Sequence, residues 1–155
     1  MKKTNVMRIL DSHKINYRSS SYEPDEALSG VDAAEKLGVD TKMVYKTLVT
    51  ESGDLNFVFV IPSDDNLDLK KAAKACGVKK IEMLKAKNLL PLTGYVHGGC
   101  SPVGMKKLFP TFIHKDAENL EEFYVSAGHI GEQIIINPKD LASLVNAKFC
   151  DLIKE

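Results

Sequence analysis

Residues 98–104 read GGCSPVG and combine residue types that serve three kinds of chemistry. Glycine-rich turns can cradle a phosphate through backbone N–H groups, Ser101 offers a hydroxyl nucleophile, and Cys100 offers a thiol. The phosphate-binding motif G-x-x-x-x-G-K-[ST] requires lysine directly after its second glycine, where Met105 stands. The nucleophile elbow G-x-S-x-G requires glycine two residues after the serine, where Val103 stands. Neither motif is therefore present.

A catalytic thiol at Cys100 would need a base that generates the thiolate, and His97 lies close in sequence. The run TGYVHGG, residues 93–99, is typical of a strand, and on a strand positions 97 and 100 face opposite ways. The paired glycines permit positive φ and close approach of a ligand, and Pro102 stiffens the turn. The stretch thus predicts a pocket wall, with thiol catalysis by Cys100 as the alternative.

Lys46 lies in the strand-like run MVYKTLVT, residues 43–50. Strand alternation places Lys46 on one face with Val44 and Leu48, and places Thr47 on the other face. A lysine between two aliphatic residues on its own face is either a guard of an edge strand against aggregation or a functional amine inside a pocket. The residues alone leave both interpretations open.

The chain carries 21 basic and 21 acidic residues, yet seven lysines fall between residues 70 and 87 against the single acidic residue Glu82. Such a cluster would let one face of a neutral molecule contact a polyanion, whereas the alternative is a solvated helix face. The seven are Lys70, Lys71, Lys74, Lys79, Lys80, Lys85 and Lys87.

Three widely spaced cysteines include no C-x-x-C pair, and the four histidines form no H-E-x-x-H motif. A disulfide framework, a structural zinc site and a catalytic metal are therefore not expected. The 155 residues suit one domain, and no apolar run has the length of a secretory signal or a membrane span. A cytoplasmic location is the corresponding expectation.

The hydrophobic pattern predicts an α+β fold with a mixed or antiparallel sheet. Helices are expected over residues 5–14, 32–38, 69–77 and 138–149, with a further turn or short helix near Leu89. Strands are expected over residues 15–22, 43–50, 55–62, 93–99, 111–116, 122–128 and 132–137, and ESGD joins the second and third of these as a hairpin turn.

Four segments recur together, in this order and at this spacing, in one protein family: VYKT at 44–47, LDLKKAAKACGVKKIEM at 67–83, TGYVHGGCSPVGMKK at 93–107 and YVSAG at 124–128. The chain resembles the YbaK/EbsC family of aminoacyl-tRNA deacylases, related to the editing domain inserted in bacterial prolyl-tRNA synthetases. The resemblance implies one α+β domain over residues 1–155, whose twisted, largely antiparallel sheet curls towards a barrel. It also implies trans-editing hydrolysis of mischarged tRNA, most typically Cys-tRNA(Pro), without metal or organic cofactor.

The same resemblance assigns the central role to Lys46, whose amine would lie close to the aminoacyl ester while the substrate's own thiol attacks the carbonyl. The implied partners are the acceptor end of aminoacyl-tRNA and prolyl-tRNA synthetase, and no membrane. The implied substrate-binding residues are Tyr22, Thr47, Gly98, Gly99, Ser101, Gly104 and Ser126.

Two departures from the family pattern bear on amino-acid specificity. The family's Y-V-S-G-G motif reads YVSAG here, so Ala127 replaces a glycine and is expected to narrow the pocket. A pocket aspartate of better-known members corresponds to Gln133 or to the neighbouring Glu132. Two other functions therefore stay open: a non-catalytic aminoacyl-tRNA- or nucleotide-binding module that docks on a synthetase, and a deacylase for another small amino acid such as alanine.

Overall fold

A computed structural model describes residues 3–22 and 38–155. The helix predicted over 32–38 and the loop before it fall almost wholly on residues 23–37, outside the described ranges. The helices are α1 (Asn5–Ser12), α2 (Leu69–Cys76), α3 (Ala86–Thr93) and α4 (Pro138–Val145), with short 3₁₀ helices at Thr41–Met43 and Lys115–Asn119. The strands are β1 (Tyr17–Ser21), β2 (Tyr45–Ser52), β3 (Leu55–Pro62), β4 (Glu82–Met83), β5 (Thr111–His114), β6 (Phe123–Ser126), β7 (Glu132–Ile136) and β8 (Lys148–Cys150).

The described strands form two sheets, which confirms the predicted α+β class. One sheet has the order β1-β7-β6 and is antiparallel; the other has the order β4-β2-β3-β5-β8 and is mixed, with β5 parallel to both β3 and β8. A parallel bridge between Val44 and Tyr124 joins β6 to the start of β2. Across the described residues the strands do not close into a barrel.

Three helices begin with a side-chain cap. The side chains of Thr4, Asp68 and Asn137 accept hydrogen bonds from backbone N–H groups in the first turns of α1, α2 and α4, respectively. Each cap satisfies donors that the helix itself cannot pair. Gly77 ends α2 in the left-handed conformation at φ 71°. These starts and the end at Gly77 confirm the sequence predictions.

The hydrophobic core divides between the two faces of the mixed sheet. On one face Tyr45 packs edge-on against Phe123, with their ring centroids 5.0 Å apart, in a cluster that includes residues of α1 and α4. On the other face Phe59 and Ile61 pack with Ala72 of α2. Alternate residues of β2 and β3 therefore enter different clusters, as the predicted alternation requires.

The strand predicted over residues 93–99 is wrong. Thr93 ends α3, Gly94 takes φ 88°, and Gly98 takes φ 87°, so the chain turns twice where a strand would run straight. The Tyr95 backbone N–H donates to the Thr93 hydroxyl oxygen at 3.0 Å, which fixes the first turn. The β-favouring residues between these glycines misled the prediction, because positive φ at glycine overrides strand propensity.

The final helix is shorter than the predicted span of residues 138–149. It ends at Val145 because Asn146 adopts the left-handed conformation at φ 55°, and β8 follows immediately. Within the described ranges, no helix combines the length and the apolar character that a bilayer crossing requires.

Candidate active site

The two edges of β2 are paired differently. On one edge β3 pairs with β2 along its whole length. On the other edge Val44 bridges Tyr124 just before β2 begins, and β4 pairs only near the far end, at Thr50 and Glu51. Between these two contacts the edge of β2 borders a cavity of about 460 Å³. The cavity therefore lies where the β6 and β4 neighbours of β2 diverge.

Five of the eight predicted site residues line this cavity. They come from the end of β1, from β2, from the glycine-rich loop and from the end of β6: Tyr22, Lys46, Thr47, Gly98 and Ser126. Aliphatic side chains form much of the remaining wall, including Leu48, Val49, Leu84 and Leu89. The structure thus collects residues that are up to 104 positions apart in the sequence.

Strand register explains why these side chains meet. Because Val44 bridges Tyr124 in parallel, Lys46 and Ser126 occupy the next equivalent positions, two residues further along each strand. Ser126 is paired with Gln133 of β7, so all three positions belong to one row and one sheet face. The Tyr22 backbone N–H donates to the Gly131 carbonyl at 2.9 Å, which holds Tyr22 beside the end of this row.

Lys46 is half-buried, and burial lowers the pKa of its amine, opposed by the negative charges of Asp65 and Asp64. Within the part of the chain that the structure describes, the amine has no hydrogen-bond or ion-pair partner. An edge guard would extend its amine into solvent, whereas this amine reaches a cavity. The geometry therefore favours a functional amine at Lys46 over a lysine that protects an edge strand from aggregation.

Thr47 brings backbone as well as side-chain groups to the cavity. The Leu84 N–H donates to the Val49 carbonyl at 3.1 Å, so the backbone groups of Val49 face the divided edge. By the two-residue repeat of a strand, the N–H and carbonyl of Thr47 face the same edge. The Thr47 Oγ1 is buried and has no hydrogen-bond partner among the described residues. This position can therefore hydrogen-bond a ligand through three groups.

Gly98 is the glycine of GGCSPVG that lines the cavity, whereas Gly99 and Ser101 do not line it and Gly104 lines a separate cavity beside α1. Ser101 is fully buried, and its Oγ accepts a hydrogen bond from the Val103 N–H at 3.2 Å, so the side chain stabilises the loop. A Cβ at Gly99 would lie 3.1 Å from the Ile130 backbone nitrogen. The loop thus packs tightly against residues 129 and 130 and presents Gly98 to the cavity.

Cys100 and His97 both line the cavity, which the predicted strand would not have allowed. Cys100 is 8% exposed, and burial raises the pKa of its thiol to about 12. A thiol with such a pKa holds almost no thiolate at neutral pH. Cys100 therefore contributes a small apolar wall rather than a nucleophile in this arrangement.

The two departures from the family pattern have different positions. Ala127 is fully buried in the core cluster on the opposite sheet face, so the expected narrowing of the pocket by its methyl group is wrong. Gln133 lines the cavity, is 6% exposed, and its Oε1 has no hydrogen-bond partner within the described ranges. Glu132 does not line the cavity. The neutral Gln133 is thus the side chain that faces the ligand space.

Ser63 also lines the cavity and was not a sequence candidate. Its backbone N–H donates to the Val44 carbonyl at 2.8 Å, directly after β3. The two-residue turn at Gly53 and Asp54 sets the register of the hairpin, so this position could have been located by counting back from the predicted turn. The signal in the sequence was a hydroxyl residue directly after an apolar strand.

The structure separates the seven clustered lysines. Lys71 pairs with Asp151 at 2.9 Å, and Lys80 pairs with Glu82 at 2.9 Å. Lys85 and Lys87 are exposed, make no ion pair with any described residue, and flank cavity-lining residues of β4 and α3. Lys70 and Lys74 are equally exposed, but α2 carries them away from the cavity lining. No cluster of potential metal ligands occurs in the described ranges.

The chain belongs to the aminoacyl-tRNA editing domain family, whose model matches residues 25–144. It is 44% identical, over 97% of its length and 93% of the relative, to an Enterococcus faecalis protein that carries the provisional name Cys-tRNA(Pro)/Cys-tRNA(Cys) deacylase EbsC. It is also 28% identical, over 68% of its own length and 19% of the relative, to the proline–tRNA ligase of Shouchella clausii.

The fold itself is shared with solved structures. One is provisionally described as a trans-editing enzyme for prolyl-tRNA synthetase; it superposes with a TM-score of 0.85 at 22% identity, covering 99% of this chain and 100% of the other. At this level of identity the likeness shows the fold alone.

Proposed function

We propose that this protein is a trans-editing aminoacyl-tRNA deacylase and that Cys-tRNA(Pro) is its main substrate. The observation that carries the proposal is the amine of Lys46, which is half-buried and has no partner among the described residues, at a divided strand edge in a member of the editing domain family. The provisional name of the 44% identical relative supports cysteine as the amino acid.

In the proposed reaction the protein supplies no nucleophile. The side-chain thiol of the cysteinyl ester attacks its own carbonyl carbon, a four-membered thioester ring closes, and the ribose oxygen leaves with a proton. Water then opens the ring and releases cysteine. Holding the thiol and the carbonyl in attack geometry contributes about 7 kcal/mol or more in well-oriented cases. The cavity walls thus act mainly by orientation.

Lys46 stabilises the negative charge that develops on the carbonyl oxygen during this attack. Its ammonium is one donor, and the backbone N–H groups at Thr47 and Gly98 border the same space. A donor of this kind is typically worth about 2.7 to 4 kcal/mol in the transition state. Tyr22, Ser126 and Gln133 bind and orient the aminoacyl group from the same sheet face. Gly99, Ser101 and Gly104 contribute indirectly, because they hold the loop that presents Gly98.

The acceptor end of the tRNA approaches from the side of the cavity where Leu84 and Ala86 form the wall. Lys85 and Lys87 flank this wall and carry no competing ion pair among the described residues, so they are free to contact phosphates. Association with prolyl-tRNA synthetase and a cytoplasmic location are part of the proposal, since the reaction corrects that enzyme's product.

The deciding experiment measures release of cysteine from purified Cys-tRNA(Pro) by the wild type and by Lys46→Ala. Release well above the spontaneous rate, lost in the variant, is expected. No release by the wild type would favour a non-catalytic binding module, and undiminished release by the variant would remove Lys46 from its role. Ala-tRNA(Pro) and Ser-tRNA in the same assay distinguish a cysteine enzyme from one for other small amino acids.

A further inference from the structure

Ser63 has a buried hydroxyl that pairs with no group in the described part of the chain. The residue is 7% exposed, it lines the cavity, and its Oγ has no hydrogen-bond partner among the described groups. A buried hydroxyl without a partner is unfavourable for folding, so its presence beside a ligand cavity calls for a ligand that pairs it. In residues 3–22 and 38–155 the turn is held by backbone hydrogen bonds, which do not require a hydroxyl at this position.

Ser63 is a close neighbour of Lys46. Lys46 pairs with Ile61 across the hairpin, and Ser63 lies two residues beyond Ile61, on the same sheet face. Diagonal neighbours of this kind lie about 7–8 Å apart, within reach of a lysine side chain or of a group bound at its amine. The hydroxyl is therefore placed to contact a molecule whose ester lies at Lys46.

The two ends of the cavity differ in chemistry. At one end the Leu84 N–H donates to the Val49 carbonyl, and at the other end the Ser63 N–H donates to the Val44 carbonyl. Val49 and Val44 are five residues apart along the strand, which corresponds to about 17 Å. The exposed Lys85 follows Leu84 directly, so the phosphate contacts of the proposed function belong to that end. With the ester at Lys46 between the two ends, the amino-acid part of the proposed substrate would extend towards Ser63.

We propose that Ser63 is a specificity-determining residue that selects aminoacyl esters whose side chain carries a thiol or hydroxyl over alanyl esters. The inference rests on the proposed deacylase function. None of the described residues that line the cavity is Asp or Glu, and the negative charges of Asp64 and Asp65 act on the Lys46 amine from outside this lining, so no described carboxylate of the wall pairs directly with the α-ammonium group. A neutral hydroxyl, which both donates and accepts, matches a neutral thiol or hydroxyl. An alanyl ester would leave it unpaired.

The first test measures binding without hydrolysis. Amide analogues of 3′-aminoadenosine that carry cysteine, serine or alanine are titrated against the wild type and Ser63→Ala. The wild type should bind the cysteinyl and seryl analogues about tenfold more tightly than the alanyl analogue, which is the size of one hydrogen bond. Ser63→Ala should lose this preference and leave alanyl binding unchanged. Equal weakening of all three analogues would overturn the proposal.

The second test separates selection from a structural role. Ser63→Ala should retain or slightly raise the unfolding temperature, because it removes an unpaired buried hydroxyl. In deacylation of cysteinyl-tRNA, its kcat/KM should fall about tenfold, the same factor as the loss of cysteinyl-analogue binding. A lowered unfolding temperature with an unchanged kcat/KM would overturn the proposal. A wild type that shows the binding preference but hydrolyses no ester would refute the deacylase function and leave Ser63 as a selecting residue.

Discussion

Buried hydroxyl groups of the mixed sheet fall into two sets. Thr50 donates to the Phe57 carbonyl at 3.0 Å, and Thr111 donates to the Phe109 carbonyl at 2.9 Å. Thr47, three residues before Thr50 on the same strand, has no such partner among the described residues, and neither has Ser63. The same residue types, in one sheet, are thus satisfied away from the cavity and unsatisfied beside it.

This difference separates what holds the fold together from what the site needs. A buried polar atom without a partner costs about 1–3 kcal/mol, which a fold does not gain back from its own contacts. Among the described residues, four buried side-chain atoms have no partner; those of Thr47, Ser63 and Gln133 belong to residues that line the cavity of Lys46, and only Glu132 Oε2 belongs to a residue that does not. The expected consequence is that changes at these polar groups of the cavity alter activity more than stability, and changes at the satisfied groups do the reverse.

Lys46→Met should show this contrast most strongly. Loss of the ammonium is expected to lower kcat/KM for Cys-tRNA(Pro) by about 10²–10³-fold, the usual effect of removing one oxyanion donor. Stability at neutral pH should stay equal or rise, because burial disfavours the charged amine in the folded state. Deacylation kinetics and thermal unfolding check both. A large loss of stability would assign Lys46 to the framework instead.

The pH profile sharpens the role of the same amine. Its folded pKa is lowered from the ordinary value of 10.5, so its positive charge is lost at lower pH than that of an exposed lysine. If that charge stabilises the transition state, activity corrected for spontaneous hydrolysis should decline on the alkaline side as pH rises through the lowered pKa. Lys46→Arg, which stays charged, should not show this decline.

Reversing the charge of the two exposed lysines beside the cavity is expected to have the next largest effect on activity. Lys85→Glu with Lys87→Glu should weaken binding of aminoacyl-tRNA at low salt by about tenfold or more and flatten the salt dependence, by roughly 0.7 in slope per lost phosphate contact. The matched control is Lys70→Glu with Lys74→Glu, which makes the same charge change away from the cavity. Hydrolysis of an aminoacyl-adenosine without phosphates should be unaffected. Equal effects of both double variants would show only a general loss of charge attraction.

Thr50→Val tests the satisfied set. Removing a buried hydroxyl that bonds a carbonyl should lower the free energy of unfolding by about 1 kcal/mol, since the Phe57 carbonyl loses this donor. The kcat/KM for Cys-tRNA(Pro) should stay within about twofold, because each factor of ten would need about 1.4 kcal/mol of lost transition-state stabilisation. Denaturant titration and the deacylation assay report the two quantities. A stable but inactive variant would contradict the division between the sets.

Cys100→Ala should have the smallest effect on activity. Its thiol is protonated at neutral pH and belongs to the wall, so deacylation should change by less than about threefold. Stability should fall modestly, because a nearly buried side chain loses its sulfur. A loss of activity beyond about tenfold would restore the thiol as a participant.

Much of the fold was predictable because it depends on short-range chemistry. Asp68 before an amphipathic run and Gly77 after it predict both ends of α2. The two-residue turn between β2 and β3 determines which residues lie opposite each other, and hence which face Lys46 occupies. The prediction of a strand over residues 93–99 was wrong because the neighbouring side chains do not indicate the positive φ of Gly94 and Gly98.

The sequence by itself determined the helix caps, the hairpin register, the alternation of β2 and the resemblance that singled out Lys46. Those features involve neighbours in the chain or a recognisable order of motifs. Only the tertiary structure decided that β6 and β4 diverge along one edge of β2, that Gly98 rather than Ser101 reaches the cavity, and that no described group pairs with the side chains of Ser63 and Gln133. Whether a buried polar group is satisfied depends on which distant segments surround it, and that is a property of packing, not of local sequence.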